Sequence, residues 1–228
     1  MLADRARANV VRGASGPTDP YWDSVVALLH LNGSNNGTSF TDQKGHSFTA
    51  GGDAKTSTAV SKFNGSSMAL DGNGDYIWTP NSTDFNIQSG DFTAEVWVYR
   101  NVSDASHYIM SKRDTAGYEW RINGNNTIQF FHTGGSSISS AAAVPSGQWV
   151  HLAVARTGST VRQFINGVVD GNVGSFSNGG TDSAQFRIGI ASDFSSGFNG
   201  YMAEFRLTKG VCRYTATFSV PTAPYPDS

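Results

Sequence analysis

Chemistry in this chain would have to be built from three glutamates, five histidines and one cysteine. Glu95, Glu119 and Glu204 sit in segments that read as strands, where residues two apart share a face. Acid–base cleavage of a glycosidic bond needs two carboxylates facing each other across it. None of the three glutamates has a second carboxylate two residues away. The histidines are scattered, and His30 and His151 fall inside apolar runs, the setting of packed or hydrogen-bonded rings rather than of ligands. There is no His-Glu-x-x-His pair, no Gly-x-Ser-x-Gly elbow and no phosphate loop ending in lysine. Gly65, Gly72 and Gly74 belong to turns. Cys212 has no partner for an internal disulfide and reads as a small buried apolar residue. These residues predict no enzyme.

The aromatic side chains offer a different chemistry. A ring laid on a pyranose face buries apolar area while the hydroxyls find polar partners. Trp97, Tyr99, Tyr118, Trp120 and Phe131 stand on strands that could line a sheet face, with Tyr118 and Trp120 on the same one. The alternative is that they fill a core, and with five tryptophans in a domain of this size most must do so.

The elements that would position these residues are short strands. Residues 25–31 are a continuous apolar run, as expected of a strand covered on both faces. In residues 92–99, Phe92, Ala94, Val96 and Val98 alternate with Thr93, Glu95, Trp97 and Tyr99. Three turn signals predict hairpins: Asp71-Gly-Asn-Gly74, Asn123-Gly-Asn-Asn126 and Thr157-Gly-Ser159. Asn166-Gly167 turns the chain back into Val168 and Val169. Residues 198–211 read as one amphipathic strand, with Ala203, Phe205 and Leu207 on one face and Met202, Glu204 and Arg206 on the other. The prolines Pro221, Pro224 and Pro226 then make a closing tail rather than another element. About a dozen strands at this spacing predict an all-β sandwich or jelly roll.

Composition narrows the partners. The net charge is −2 and charged residues are only 15% of the 228. The lysines are dispersed, so nucleic-acid binding has no electrostatic footing. No apolar run approaches the ~18 residues of a membrane span. The first residues lack a signal-peptide apolar core, which, with the single cysteine, predicts synthesis in a cytoplasm. Residues 1–20 place Arg5, Arg7 and Arg12 among small residues before a Gly/Pro-rich connector. They read as an anchoring arm and linker to a domain of residues 21–228. The six Asn-x-Ser/Thr triplets read as Asn-rich turns.

The wording of several segments is informative: His30-Leu-Asn-Gly33, residues 62–77, Gly90-Asp-Phe-Thr-Ala-Glu-Val-Trp-Val98, Gly147-Gln-Trp-Val-His-Leu-Ala-Val-Ala-Arg156, Phe164-Ile-Asn-Gly-Val168 and residues 198–207. Together they resemble the LamG-like, concanavalin A-like jelly-roll family over about residues 25–226. The resemblance implies an all-β, two-sheet antiparallel sandwich. The ending Thr208-Lys-Gly-Val-Cys-Arg-Tyr214 with its proline tail resembles the version found in structural proteins of tailed bacteriophages. That implies a non-enzymatic protein of the virion surface, in head or tail, held to other virion proteins through the arm. It also implies a homo-oligomer and a cell-surface glycan as partner. The alternative is a soluble carbohydrate-binding, lectin-like module. Hydrolases of this fold carry Glu-x-Asp-x-Glu on one strand, which this sequence lacks. No cofactor is required, but relatives often hold a structural calcium ion at the sheet rim. The aligned oxygens here are Asn32, Asp42 and Glu204, with Asn32 neutral where relatives often have aspartate. Otherwise Asp42 caps a turn and Glu204 hydrogen-bonds near the first strand.

Overall fold

A computed structural model of the chain describes residues 18–103, 105–133, 137–177 and 182–228. The predicted arm with Arg5, Arg7 and Arg12 lies outside the described residues. Among these residues the strands are β1 (Val25–Leu29), β2 (Phe40–Thr41), β3 (Ser47–Gly51), β4 (Lys55–Ser57), β5 (Ser67–Asp71), β6 (Tyr76–Thr79), β7 (Phe92–Arg100), β8 (His107–Arg113) and β9 (Gly117–Ile122). They continue with β10 (Thr127–His132), β11 (Ile138–Ala143), β12 (Trp149–Thr157), β13 (Thr160–Ile165), β14 (Val168–Val169), β15 (Gly174–Ser175), β16 (Phe186–Ile188) and β17 (Asn199–Lys209). Two single 3-10 turns are the described helical structure.

The strands form two antiparallel sheets, the all-β jelly-roll sandwich expected from the alternation. One has nine strands in the order β14-β13-β12-β7-β17-β5-β4, with β1 also paired to β17 and β15 to β13. The other has eight, in the order β11-β10-β9-β8-β16-β6-β3-β2. Phe92, Ala94, Val96 and Val98 of β7 point into the core, opposite Tyr118, Trp120, Phe130 and Phe186 from the second sheet. Burying each of the valine and phenylalanine side chains contributes roughly 1.5–3 kcal/mol, and the alanine methyl less. Strand β1 is covered on both sides: Ala27 and Leu29 enter the main core while Val25 and Leu28 pack against Tyr225.

Three local readings meet the structure differently. The Asn123–Asn126 turn closes the β9–β10 hairpin, and Asn166 and Gly167 both take positive φ to join β13 to β14. The Asp71–Gly74 turn makes no hairpin. Strand β5 pairs with β17 and β4, whereas β6 pairs with β16 and β3, so this turn is a corner between the sheets. In β17 the period of two is broken by a bulge. Ala203 lies opposite Trp97 and Arg206 opposite Glu95, so Glu204 and Phe205 face one residue of β7. Glu204 takes φ 55° at this point. The phase shifts: Met202, Phe205 and Leu207 enter the core, and Ala203 does not join them there.

Residues 211–228 form no strand or helix and lie across the outer face of the nine-stranded sheet. Tyr214 and Phe218 stack at 3.5 Å over Phe164, Ala153 and Ala155. The tail is tied down by the Phe218 N–H to the Gly167 carbonyl (2.9 Å) and the Arg213 N–H to Thr93 Oγ1 (2.8 Å).

Candidate functional site

Among the described residues, no tail lies across the outer face of the eight-stranded sheet, and its side chains are polar and aromatic. Alternation sends Tyr118, Trp120 and Ile122 of β9 inward and turns Glu119 and Arg121 outward. In β10 the same rule exposes Gln129 and Phe131. A register shift in β8 between Tyr108 and Met110 puts Met110 in the core and leaves Tyr108 beside Arg121. The β8–β9 turn depends on Gly117 at φ +118°, where an added Cβ would lie 2.0 Å from the Lys112 carbonyl oxygen. Ser192, Asp193 and Phe194 reach this face from the loop before β17, with Phe194 49% exposed.

The side chains hold one another in place. Arg121 donates through Nε (3.0 Å) and Nη2 (2.6 Å) to Gln129 Oε1, and through Nη1 to the Tyr108 hydroxyl. Gln129 Nε2 donates to Ser139 Oγ at 3.1 Å. Glu119 accepts from Arg113 Nη1 at 3.1 Å, and from the backbone N–H and hydroxyl of Ser192 at 3.2 and 2.6 Å. Asp193 accepts from the Ser195 hydroxyl and N–H, which hold its carboxyl below the usual range. Guanidinium groups lie over rings three times: Arg113 on Phe131 (4.5 Å), Arg121 on Tyr108 (5.2 Å) and Arg187 on Phe194 (4.6 Å). The first two of these pairs line a depression of about 160 Å³ with Glu119, Gln129 and Ser192, while Arg187 and Phe194 lie outside it. Such a surface presents fixed donors and acceptors and the half-buried Phe131 ring to a polar ligand of sugar size.

The opposite face is closed by the tail over a buried charge network. Glu95 Oε1 accepts from Arg206 Nε (3.0 Å) and Nη2 (2.8 Å), and its Oε2 from the hydroxyls of Tyr214 (2.9 Å) and Tyr225 (3.0 Å). Arg206 Nη1 and Arg213 Nη2 both donate to Asp19 Oδ2 at 2.8 Å. His151 Nε2 lies 3.0 Å from the Tyr225 hydroxyl. Nearby, His30 Nδ1 meets Glu204 at 2.8 and 2.9 Å and its Nε2 meets Asp227 at 2.8 Å. The hydrogen bond to Glu204 outweighs the opposing effect of burial and, helped by the charges of Glu204 and Asp227, pushes the His30 pKa up to about 9. The folded state thus holds a proton that the unfolded chain releases near pH 6.5. This stabilisation is full below about pH 6.5 and is lost as pH rises through about 9. Thermal midpoints measured from pH 6 to 10 should fall across that window, and His30→Gln should remove that part of the fall.

The structure corrects several site expectations. Tyr118 and Trp120 do share a face, but it is the core face, and both are 0% exposed. Trp97 is 4% exposed, lying under the Lys62 ammonium (3.7 Å) and beside His151. None of these three offers a ring to a sugar. Tyr99 is half-buried on the outer face of the nine-stranded sheet, edge-on to Trp149 (5.9 Å) and Tyr201 (6.0 Å). The calcium set does not fit either. Both Asp42 oxygens are taken by protein donors, among them the N–H groups of Leu28 and His46, and Glu204 is held by His30 and the Tyr225 N–H. Asn32 lies in the half-buried loop after β1. The carboxylates that do converge are Asp53, Asp71 and Asp75, with oxygens within 4.8 Å of one another. A cation would compete there with Lys55, 3.3 Å from Asp53. Arg113, Arg121, Gln129 and Ser192 were not singled out by sequence. The charges of Glu119 and Arg121, flanking Trp120, were the available signal for which side of β9 faces water.

A two-sheet sandwich with one face closed and the other polar and aromatic is a lectin-like, carbohydrate-binding type of fold. The family model for the concanavalin A-like lectin/glucanases superfamily matches residues 71–212, and the chain belongs to that superfamily. No curated protein matches the chain by sequence. Among solved structures it is similar to domain 4 of AbnA, a GH43 extracellular arabinanase from Geobacillus stearothermophilus, in complex with arabinotriose. That match covers 83% of this chain and 94% of the other at 18% identity, with a TM-score of 0.63. The binding domain of botulinum neurotoxin serotype D/C aligns over 84% of this chain at 13% identity, TM-score 0.63. A type C neurotoxin structure, titled for cell entry through two ganglioside molecules, aligns at 13% identity over 84% of this chain, TM-score 0.62. The chain spans about half the length of the neurotoxin chains, 50% and 49%. At these identities the likeness is one of fold.

Proposed function

We propose that this chain is a non-catalytic carbohydrate-binding module that takes a glycan on the outer face of the eight-stranded sheet. The observation that carries the reading is the fixed set of Tyr108, Arg121, Gln129 and Phe131 around one depression on the open face. Amide and guanidinium groups that are already oriented lose little entropy on meeting hydroxyls, and the Phe131 ring supplies an apolar contact. The arabinotriose complex of domain 4 of AbnA and the ganglioside-dependent type C neurotoxin lend the fold precedent for sugar binding. Catalysis is disfavoured by the carboxylates on this face. Glu119 is committed to Arg113 and Ser192, and Asp193 is held ionised, so neither is suited to deliver a proton to a leaving group. The setting we propose is a virion surface, supported by the ending at residues 208–214; absence of the chain from purified particles would refute that setting.

The test is a glycan array with the full chain, followed by calorimetry on a bound sugar. Phe131→Ala should weaken binding about tenfold, the loss of one ring contact. The half-buried ring leaves the thermal midpoint within a few degrees. An unchanged affinity in this variant would remove the face from consideration.

A further inference from the structure

Two cations on the open face lack a counter-ion. Arg113 is paired with Glu119 at 3.1 Å. Arg121 meets only neutral partners, the Gln129 amide oxygen and the Tyr108 hydroxyl. Arg187 reaches only the Ser192 carbonyl and Gln185 Oε1, both at a long 3.4 Å. Neither Arg121 nor Arg187 forms an ion pair among the described residues. The carboxylates that face them are Glu119, whose oxygens are taken, and Asp193, turned to Ser195. Each of the two guanidinium groups lies over a ring, Tyr108 at 5.2 Å or Phe194 at 4.6 Å.

We infer that the glycan taken by this face carries a carboxylate, as in a uronic or sialic acid, received by Arg121 inside the depression, with Arg187 flanking it beyond Ser192. The inference rests on the carbohydrate-binding reading above and adds the charge of the ligand. In the free protein both side chains are partly exposed, and water can reach the outer part of each guanidinium. A neutral sugar covering them would strip that water and return no charge, which is unfavourable for an ion. A carboxylate returns two parallel charge-assisted hydrogen bonds to a planar fork, the geometry in which arginine exceeds lysine. The chain as a whole carries −2, so general attraction to polyanions does not account for such binding.

The experiment uses the full chain on an array holding matched pairs: polygalacturonate and its methyl ester, sialyllactose and lactose, with dextran sulfate alongside. The expected result is binding to at least one carboxylate member and at least about tenfold weaker binding to its neutral match. Arg121→Gln and Arg187→Gln should each lower affinity for the acidic sugar about tenfold, the range for a hydrogen bond to a charged group. Arg162→Gln, on the other sheet, should leave it unchanged. Thermal midpoints of all variants show whether they fold, and Arg121→Lys, which keeps the charge without the fork, should recover only part of the loss. Binding confined to neutral members, or unchanged affinity in both glutamine variants, overturns the inference and leaves the carbohydrate-binding reading standing. Dextran sulfate bound in preference to every carboxylate overturns it as well. No binding to any sugar on the array overturns both.

Discussion

Arg206→Ala should cost the fold about 3–5 kcal/mol, the range for removing one partner of a buried ion pair. In a domain of this size that lowers the thermal midpoint by roughly 6–20 °C. The side chain of Arg206 is 6% exposed, and its guanidinium bridges Glu95 and Asp19 while lying 3.8 Å from the Tyr225 ring. Burial alone would raise the Glu95 pKa. The charge of Arg206, with the hydrogen bond and charge from His151, reverses this and holds the carboxylate far below its usual range. Without Arg206, Glu95 is a fully buried anion held only by two phenols and an imidazole. The chain has two routes of relief, protonating Glu95 or lifting the tail, and both cost stability. The double variant Arg206→Ala with Glu95→Gln should therefore recover part of the loss, because the two sites share one network. Urea unfolding of the four proteins measures this. A single-variant loss below about 1 kcal/mol would mean that the network is not what fastens the tail.

Trp120→Ala should cost a similar 3–5 kcal/mol, for a different reason. Trp120 is among the largest fully buried side chains. It sits in the core with Phe130, Ile122 and Met110, so truncation opens a cavity that a twisted two-sheet core cannot close by itself. Its strand also carries Glu119 and Arg121 on the open side. The measured effect should appear in the denaturation midpoint, whereas Tyr99→Ala, on the half-buried outer patch, should cost far less. Equal midpoints for the two variants would contradict the placement of Trp120 between the sheets.

Much of this architecture is legible in the sequence because an alternating strand states its own two faces. Phe92 to Val98 announce the core side of β7, and Asn123-Gly-Asn-Asn126 announces the β9–β10 hairpin. What alternation omits is which sheet a strand joins. Asp71-Gly-Asn-Gly74 specifies a tight reversal, and the same residues serve a hairpin or a corner between sheets. The bulge at Glu204 was equally hidden, since nothing in a glutamate signals a left-handed backbone. For the candidate site, the shared face of Tyr118 and Trp120 is legible in the sequence, but whether it meets a ligand or the core is not settled by the rings alone. The charged neighbours on either side of Trp120 point to the core. Arg113 and Arg121 lie on neighbouring strands, but Arg187 is more than sixty residues further along the chain, and only sheet register brings it to the same surface. The calcium expectation met the same limit, because sequence does not reveal that Asp42 and Glu204 already have donors.

The position of β17 bears on how the protein is made. It is the strand between β7 and β5, and it also pairs with β1. While residues 199–209 remain inside the ribosome, three strands wait with open hydrogen-bonding edges. Sheet completion then joins the first strand to the last, a long-range closure that slows folding. Nascent chains should therefore be most vulnerable to edge-to-edge association until residues 199–209 emerge.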